Sequence, residues 1–484
     1  MILVVAGVMR FAMVTVSPGF EWDEPVYAQI AAQTNVVGYP SAKIDGNMIS
    51  TEPYLYQPPF DFYLKAAWFN TFPKTDTAGD VGLGRLLSAT EGMIALVLAF
   101  FCIQEIAGPN SAIVGLILLA TDGWIVYTNR LNLIDNGMIP WGIFGVWMYA
   151  KACKSQAKLY YVIAGLFLAF AAVYKQTGIP FLFVPIINWL MTRKNFKNHA
   201  LLLLTMVLVV LGYIGGLFAI WPKEFIFDTW VQIERTLGHI PSRGLNYGLQ
   251  DAIKAVVQTY FVFVVTIVAI TGVGLAVAYR VIQVICGQKQ LFNSILLSWS
   301  IAAFGFLTVI ALKAPQYLII VLVPAYMFIA SEFGAILDRA EDRLQMLQSS
   351  VNLDVLAKRI VVGALAFTVA ANMVTWGVRF IAHHDNALLE TYRYFQTVPS
   401  TSHVLADDPV GVVITQPYYN IDRHWSEQSM IDANPDYIVL YTTYTQKTPN
   451  YQELKLYIAK STIVRTIVGF KETILIYRVN KGGS

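Results

Sequence analysis

Apolar runs of spanning length, broken by short polar stretches, recur along most of the chain. Such runs predict membrane helices, because about 20 apolar residues cross a bilayer. They fall near 1–16, 83–104, 111–128, 135–150, 158–173, 177–191, 199–221, 255–279, 291–312, 317–335 and 359–381, about eleven helices in all. The first run is short and carries Arg10. No small-x-small cleavage site precedes Ser17-Pro18, so it reads as a membrane helix and not as a signal peptide.

Three long segments depart from this pattern. Residues 17–82 are too many for a mere connector. Within them Asp61-Phe62-Tyr63-Leu64-Lys65-Ala66-Ala67-Trp68-Phe69 is aromatic, apolar and too short to span, which fits an interfacial helix or a buried loop segment. Residues 224–236 offer the same two choices. From about 382 the pattern changes again. Short β-type runs at 404–405, 412–414, 437–441 and 474–477 alternate with helical stretches near 386–396, 425–433 and 450–460. That alternation predicts a small α/β domain.

Composition fixes the class. Of 484 residues, 56% are hydrophobic and 13% charged, against about 25% charged in soluble domains. The mean hydropathy is +0.53. The chain therefore reads as a polytopic α-helical membrane protein. No Lys/Arg run long enough to follow a phosphate backbone occurs, and this excludes nucleic acid as a partner. Cys102, Cys153 and Cys286 have no metal-site spacing.

Charge then sets orientation. With the N-terminus inside, short cytoplasmic loops hold Lys151, Lys154 and Lys158, then Arg193, Lys194 and Lys197, then Arg280 and Lys289, then Arg339, Arg343, Lys358 and Arg359. The segments 17–82, 222–254 and 382–484 then lie outside. The chain divides into a transmembrane domain, 1–381, whose first extracytoplasmic loop is 17–82, and an extracytoplasmic α/β domain, 382–484.

Against that frame certain polar residues stand out. Asp23-Glu24 follows the first helix, and Asp135 opens the fourth. Arg85, Arg130, Lys175 and Lys313 sit at the outer ends of separate helices, where the positive-inside rule leaves few cations. Each alone fits a snorkelling anchor. Together they suit an anionic lipid head group, with a carboxylate to deprotonate an acceptor hydroxyl or amine. Cations would also stabilise charge growing on a departing phosphate. That combination suits sugar transfer from a polyprenyl-phosphate sugar. Its leaving group, a phosphate monoester, requires neither a general acid nor a metal. The carboxylates can bind a divalent cation, although no ligand spacing demands one.

The residues also resemble a family. Arg10, Trp22-Asp23-Glu24-Pro25-Val26-Tyr27, Gln57-Pro58-Pro59-Phe60, Gly84-Arg85-Leu86-Leu87-Ser88-Ala89, Arg130 with Asp135, Lys175, Lys313-x-Pro-x-Tyr317 and Pro324 follow in order over about residues 1–335. In this they are similar to GT-C glycosyltransferases of the protein O-mannosyltransferase and aminoarabinose-transferase type. The resemblance implies an inverting transferase that moves a sugar from a polyprenyl-phosphate donor to a lipid, glycan or protein acceptor at the extracytoplasmic face of the cell membrane. It implies Asp23 as general base, Glu24 orienting acceptor or base, and Asp135 as a second acid of the site. Arg85, Arg130, Lys175 and Lys313 would contact the donor phosphate, and Tyr27, Gln57 and Tyr317 would position substrate. Two residues depart from the pattern: Gln57 stands where relatives often carry Lys or His, and Gln316 where they often carry Arg. The Trp-Trp-Asp signature of the oligosaccharyltransferase branch is absent. A transporter or lipid flippase, or a GT-C-like scaffold without activity, are the alternative classes.

Overall fold

The computed structural model describes residues 1–15, 23–41, 52–73, 75–236, 239–240, 245–246, 294–309, 315–346, 359, 362–363, 365–367, 369–374, 387–406, 414, 418–420, 432–441, 454–455, 458–469 and 473–480. The predicted span 255–279, Lys313, Cys286 and the helical stretches 425–433 and 450–460 lie wholly or largely outside these residues, as does much of the predicted span 359–381.

The chain is mostly helical. Helix α1 (Ile2–Phe11) is followed by α2 (Asp23–Val37) and α3 (Phe60–Phe69), then by α4 (Thr77–Ala107). Asp76 caps α4 by accepting from the Gly79 amide at 2.8 Å, as a short acid does at an open helix end. At 31 residues α4 runs about 46 Å, longer than the bilayer core. Helices α5 (Pro109–Thr121) and α6 (Gly123–Asn129) meet at 63°. Asp122 makes that break by accepting from the amides of Trp124 (3.0 Å) and Ile125 (2.7 Å). Then come α7 (Ile134–Ser155), α8 (Lys158–Tyr174), α9 (Ile179–Thr192), α10 (Phe196–Ile220) and α11 (Pro222–Thr236). Later helices are Ser294–Val309, Leu318–Met346 and Ala387–Phe395.

Among the described residues three helices are long and apolar enough to cross a membrane: α4, α10 and Leu318–Ala335. The bent α5–α6 pair makes a fourth if counted as one span. The expected eleven are therefore not reached there. The run at 111–128 is interrupted by Asp122, and the runs at 158–173 and 177–191 fold as helices of 17 and 14 residues. Helix α7 carries Asp135, Asn136, Lys151 and Lys154, and buries most of its first three turns in protein. Helix α10 is the opposite case. Leu204, Val207, Leu208, Leu211, Ile214 and Phe218 stand exposed, a face too apolar for water and suited to lipid.

The 61–69 segment forms α3, and it turns its charged pair inward. Asp61, Phe62, Lys65, Ala66 and Phe69 are buried, and Phe60 and Tyr63 are exposed. Helix α11 covers the 224–236 segment. It exposes Ile226, Phe227, Trp230 and Ile233 and buries Asp228, which accepts from the Leu55 amide at 2.7 Å.

A short antiparallel pair joins β1 (His239–Ile240) to β2 (Leu245–Asn246). A five-stranded mixed sheet follows from β3 (Val404–Ala406), β4 (Tyr418–Asn420), β5 (Tyr437–Tyr441), β6 (Ser461–Val468) and β7 (Thr473–Val479), in the order β4-β3-β5-β7-β6. β3 pairs parallel with β4 and β5, and β7 pairs antiparallel with β5 and β6. The runs read at 404–405, 437–441 and 474–477 fall in this sheet. Of the run at 412–414, only Ile414 is described, outside any strand.

Candidate active site

Helix α2 opens with Asp23-Glu24-Pro25. Acids suit a helix N-terminus, where unpaired amides leave a positive end, and proline in the first turn forfeits no helical bond. The helix phase sends the two acids to different places. Glu24 is fully buried and grips Arg85 at both oxygens, with Nε donating at 2.7 Å and Nη2 at 2.6 Å. The Asn132 amide donates to the same carboxylate at 2.7 Å, and the Asn132 carboxamide to the Glu24 carbonyl at 3.1 Å. Gly84, beside Arg85, admits that carboxamide: a Cβ there would lie 2.4 Å from it. Asp23, one residue earlier, stays partly exposed and receives the Gln316 amide at 3.5 Å.

Asp135 lies in the first turn of α7, again at a positive helix end. It takes the Lys175 ammonium at 2.5 Å and the Thr177 hydroxyl at 3.3 Å. Lys175 sits in the turn after α8, with its ammonium 5.7 Å from the centre of the Tyr317 ring. Burial opposes its charge, but Asp135, Tyr317 and Asp23 outweigh it and raise its pKa above the ordinary lysine value. Tyr27, one turn beyond Asp23, is buried. Burial first, then Asp23, Tyr54, Asp135 and Tyr317, raise its hydroxyl well above the usual phenol range. Asp23, Tyr27, Asp135, Lys175, Gln316 and Tyr317 thus share one electrostatic neighbourhood, drawn from α2, the start of α7, the end of α8 and the turn before Leu318–Met346.

Other predicted residues are placed differently. Arg85 faces Glu24, with Nη1 reaching the Val14 carbonyl at 3.3 Å. Arg130 donates to the carbonyls of Met9 (2.9 Å) and Arg10 (3.3 Å), closing the end of α1. Arg10 itself closes the end of α5 through the Leu119 and Ala120 carbonyls and holds Asn129 at 3.0 Å. Gln57 is buried, and its Oε1 has no hydrogen-bond donor among the described residues. Among the described residues no three His, Cys, Asp or Glu side chains gather as metal ligands.

Sequence reasoning missed a second buried group. Lys65 and Asp61 pair at 2.7 Å without exposure, and the Tyr174 hydroxyl donates to Asp61 at 2.7 Å. Glu91 lies 3.5 Å from that hydroxyl. Lys65 also stands 5.4 Å from the centre of the Tyr27 ring. The available signal was an i,i+4 acid–base pair inside an aromatic segment.

Apolar helices around a buried, charged cluster give this chain the fold of solved GT-C membrane enzymes. ArnT from Cupriavidus metallidurans bound to undecaprenyl phosphate matches with a TM-score of 0.61 at 13% identity, over 98% of this chain and 97% of that one. The archaeal oligosaccharyltransferase AglB from Archaeoglobus fulgidus, in complex with an inhibitory peptide and a dolichol-phosphate, matches with a TM-score of 0.60 at 12% identity, over 92% and 70% of the two chains. At these identities the likeness concerns the fold. The family model of the dolichyl-phosphate-mannose-protein mannosyltransferases matches residues 57–214. No curated protein sequence matches the chain. The family match over residues 57–214 and the fold match over nearly the whole chain agree with the resemblance to GT-C enzymes of the O-mannosyltransferase and ArnT type.

Proposed function

We propose that this protein is an inverting membrane glycosyltransferase that moves a sugar from a polyprenyl-phosphate donor to an acceptor at the extracytoplasmic face. The observation that carries this reading is the divergence of Asp23 from Glu24. One acid is locked on Arg85. The other is partly exposed beside Lys175, Asp135 and Tyr317. That a solved protein of this fold holds undecaprenyl phosphate supports a lipid-phosphate donor here.

In this mechanism Asp23 takes the proton of the acceptor hydroxyl or amine. The acceptor attacks the anomeric carbon from the face opposite the phosphate, the glycosidic C–O bond breaks, and the electron pair leaves with the polyprenyl phosphate. Lys175 meets the phosphate. Its ammonium carries three donors, so contact with Asp135 leaves others for the phosphate. Lys313 and Arg130 are proposed as further phosphate contacts. Arg85 acts one layer back, holding Glu24 and with it the start of α2. Gln57 and Tyr27 position substrate. No step calls for a resident metal. The segment 382–484 is proposed as an extracytoplasmic domain that supports acceptor contact.

Asp23→Asn removes the base and little volume. We expect sugar transfer from radiolabelled polyprenyl-phosphate sugars to fall by about 100-fold or more, with membrane insertion unchanged. Transfer at the wild-type rate would overturn Asp23 as base. Lipid movement without sugar transfer by the wild type would favour the transporter reading.

A further inference from the structure

The proposed chemistry uses Lys175 but leaves unexplained the ions packed behind it. Asp61 and Lys65 on α3, Glu91 on α4 and Tyr174 at the end of α8 are all buried. Buried charges of this kind are costly unless paired, and their partners here are each other. Lys65 pairs with Asp61 at 2.7 Å, and the Tyr174 hydroxyl donates to the same carboxylate, also at 2.7 Å. Glu91 flanks that hydroxyl at 3.5 Å. The hydroxyl reaches this position through a notch in α7. A Cβ on Gly137 would lie 2.0 Å from the Tyr174 oxygen and 2.8 Å from Glu91 Oε1.

Tyr174 is the residue before Lys175. Lys175 has extended backbone, φ −154° and ψ 142°, in which neighbouring side chains point to opposite sides. One side of this junction is thereby fastened to Asp61, and the other reaches Asp135. The notch and the acid lie two residues apart on α7, at Gly137 and Asp135. The end of α8 is held at two adjacent points.

We propose that Tyr174, anchored by Asp61, is a positioning residue for donor binding: it fixes the backbone from which Lys175 reaches the lipid phosphate. This rests on the reading of Lys175 as a phosphate contact. Tyr174 need not touch the donor, so its effect must pass through Lys175. That requirement separates positioning from a general contribution to the fold.

The test is a double-mutant cycle on the full chain in detergent, reading the binding of radiolabelled undecaprenyl phosphate. Tyr174→Phe should weaken binding about tenfold in the wild-type background, and raise donor KM with kcat nearly unchanged. In a Lys175→Ala background the same exchange should cause no further loss. Equal losses in both backgrounds, or no loss in either, would overturn the proposal while leaving Lys175 as a phosphate contact. If Lys175→Ala binds like the wild type, or the wild type does not bind, the reading of Lys175 fails and the proposal falls with it. Should Tyr174→Phe not assemble, Asp61→Glu, which keeps the charge and displaces the anchor, gives the same cycle with the same expectations.

Discussion

Asp23 and Glu24 show how far adjacent, similar residues can diverge. The pair was legible in the sequence as the point of interest. Which acid pairs with Arg85 was not, because that depends on helix phase and on Arg85, 61 positions away. Removing half of the Glu24–Arg85 pair leaves a buried charge uncompensated, at a cost of about 3–5 kcal/mol. Glu24→Ala should therefore lower the thermal midpoint in detergent sharply, whereas Asp23→Asn should leave it close to that of the wild type. Lys175 gives a prediction about pH. Its folded pKa is raised, so the stabilisation from its pairing is complete below the unfolded value of about 10.4 and is lost as pH rises through the higher folded value. Between about pH 6 and 9 it does not titrate. The shape of the pH–rate profile should be the same in Lys175→Arg as in the wild type, even if the rate itself falls.

At the level of elements, hydropathy located α4, α10 and Leu318–Met346, because long apolar runs in lipid need little else. It could not reveal the α5–α6 break, where one acid, Asp122, turns the chain and is held from a distance by the Tyr326 hydroxyl at 2.7 Å. Nor could it show that α3 faces its charges inward, since its partners Tyr174 and Glu91 come from other helices. Strand β6 escaped notice although Thr462, Ile463, Val464, Thr466, Ile467 and Val468 favour a pleated backbone. The notch at Gly137 belongs to this scale. Gly137→Ala should destabilise the protein by about 1–3 kcal/mol, because Tyr174 must yield. A similar thermal midpoint for this variant and the wild type would show that the α7–α8 contact is looser than the geometry states.

For the molecule as a whole, composition alone gave the membrane class, and ordered motifs gave the family resemblance that fold and family match now support. Contacts between distant segments lay beyond the sequence. The Tyr392 hydroxyl, on Ala387–Phe395, donates at 2.6 Å to Asp76, the cap of α4. This bond first, against burial and with the Gly79 amide, lowers the Asp76 pKa. A lowered carboxyl contributes stability above its unfolded value of about 3.9 and loses it as pH falls through the folded value. Because Asp76 is largely exposed, the contribution is modest. Tyr392→Phe should cost under about 1 kcal/mol at neutral pH, read as faster amide exchange along Ala387–Phe395.

The central claim is that Asp23 and Lys175 flank one donor site. A structure of the full chain with a bound, non-transferable polyprenyl-phosphate sugar tests it most directly. The account predicts the phosphate within about 3 Å of the Lys175 ammonium, with the anomeric carbon open to an acceptor beside Asp23. A phosphate bound away from Lys175, with Asp23 facing no sugar, would contradict it.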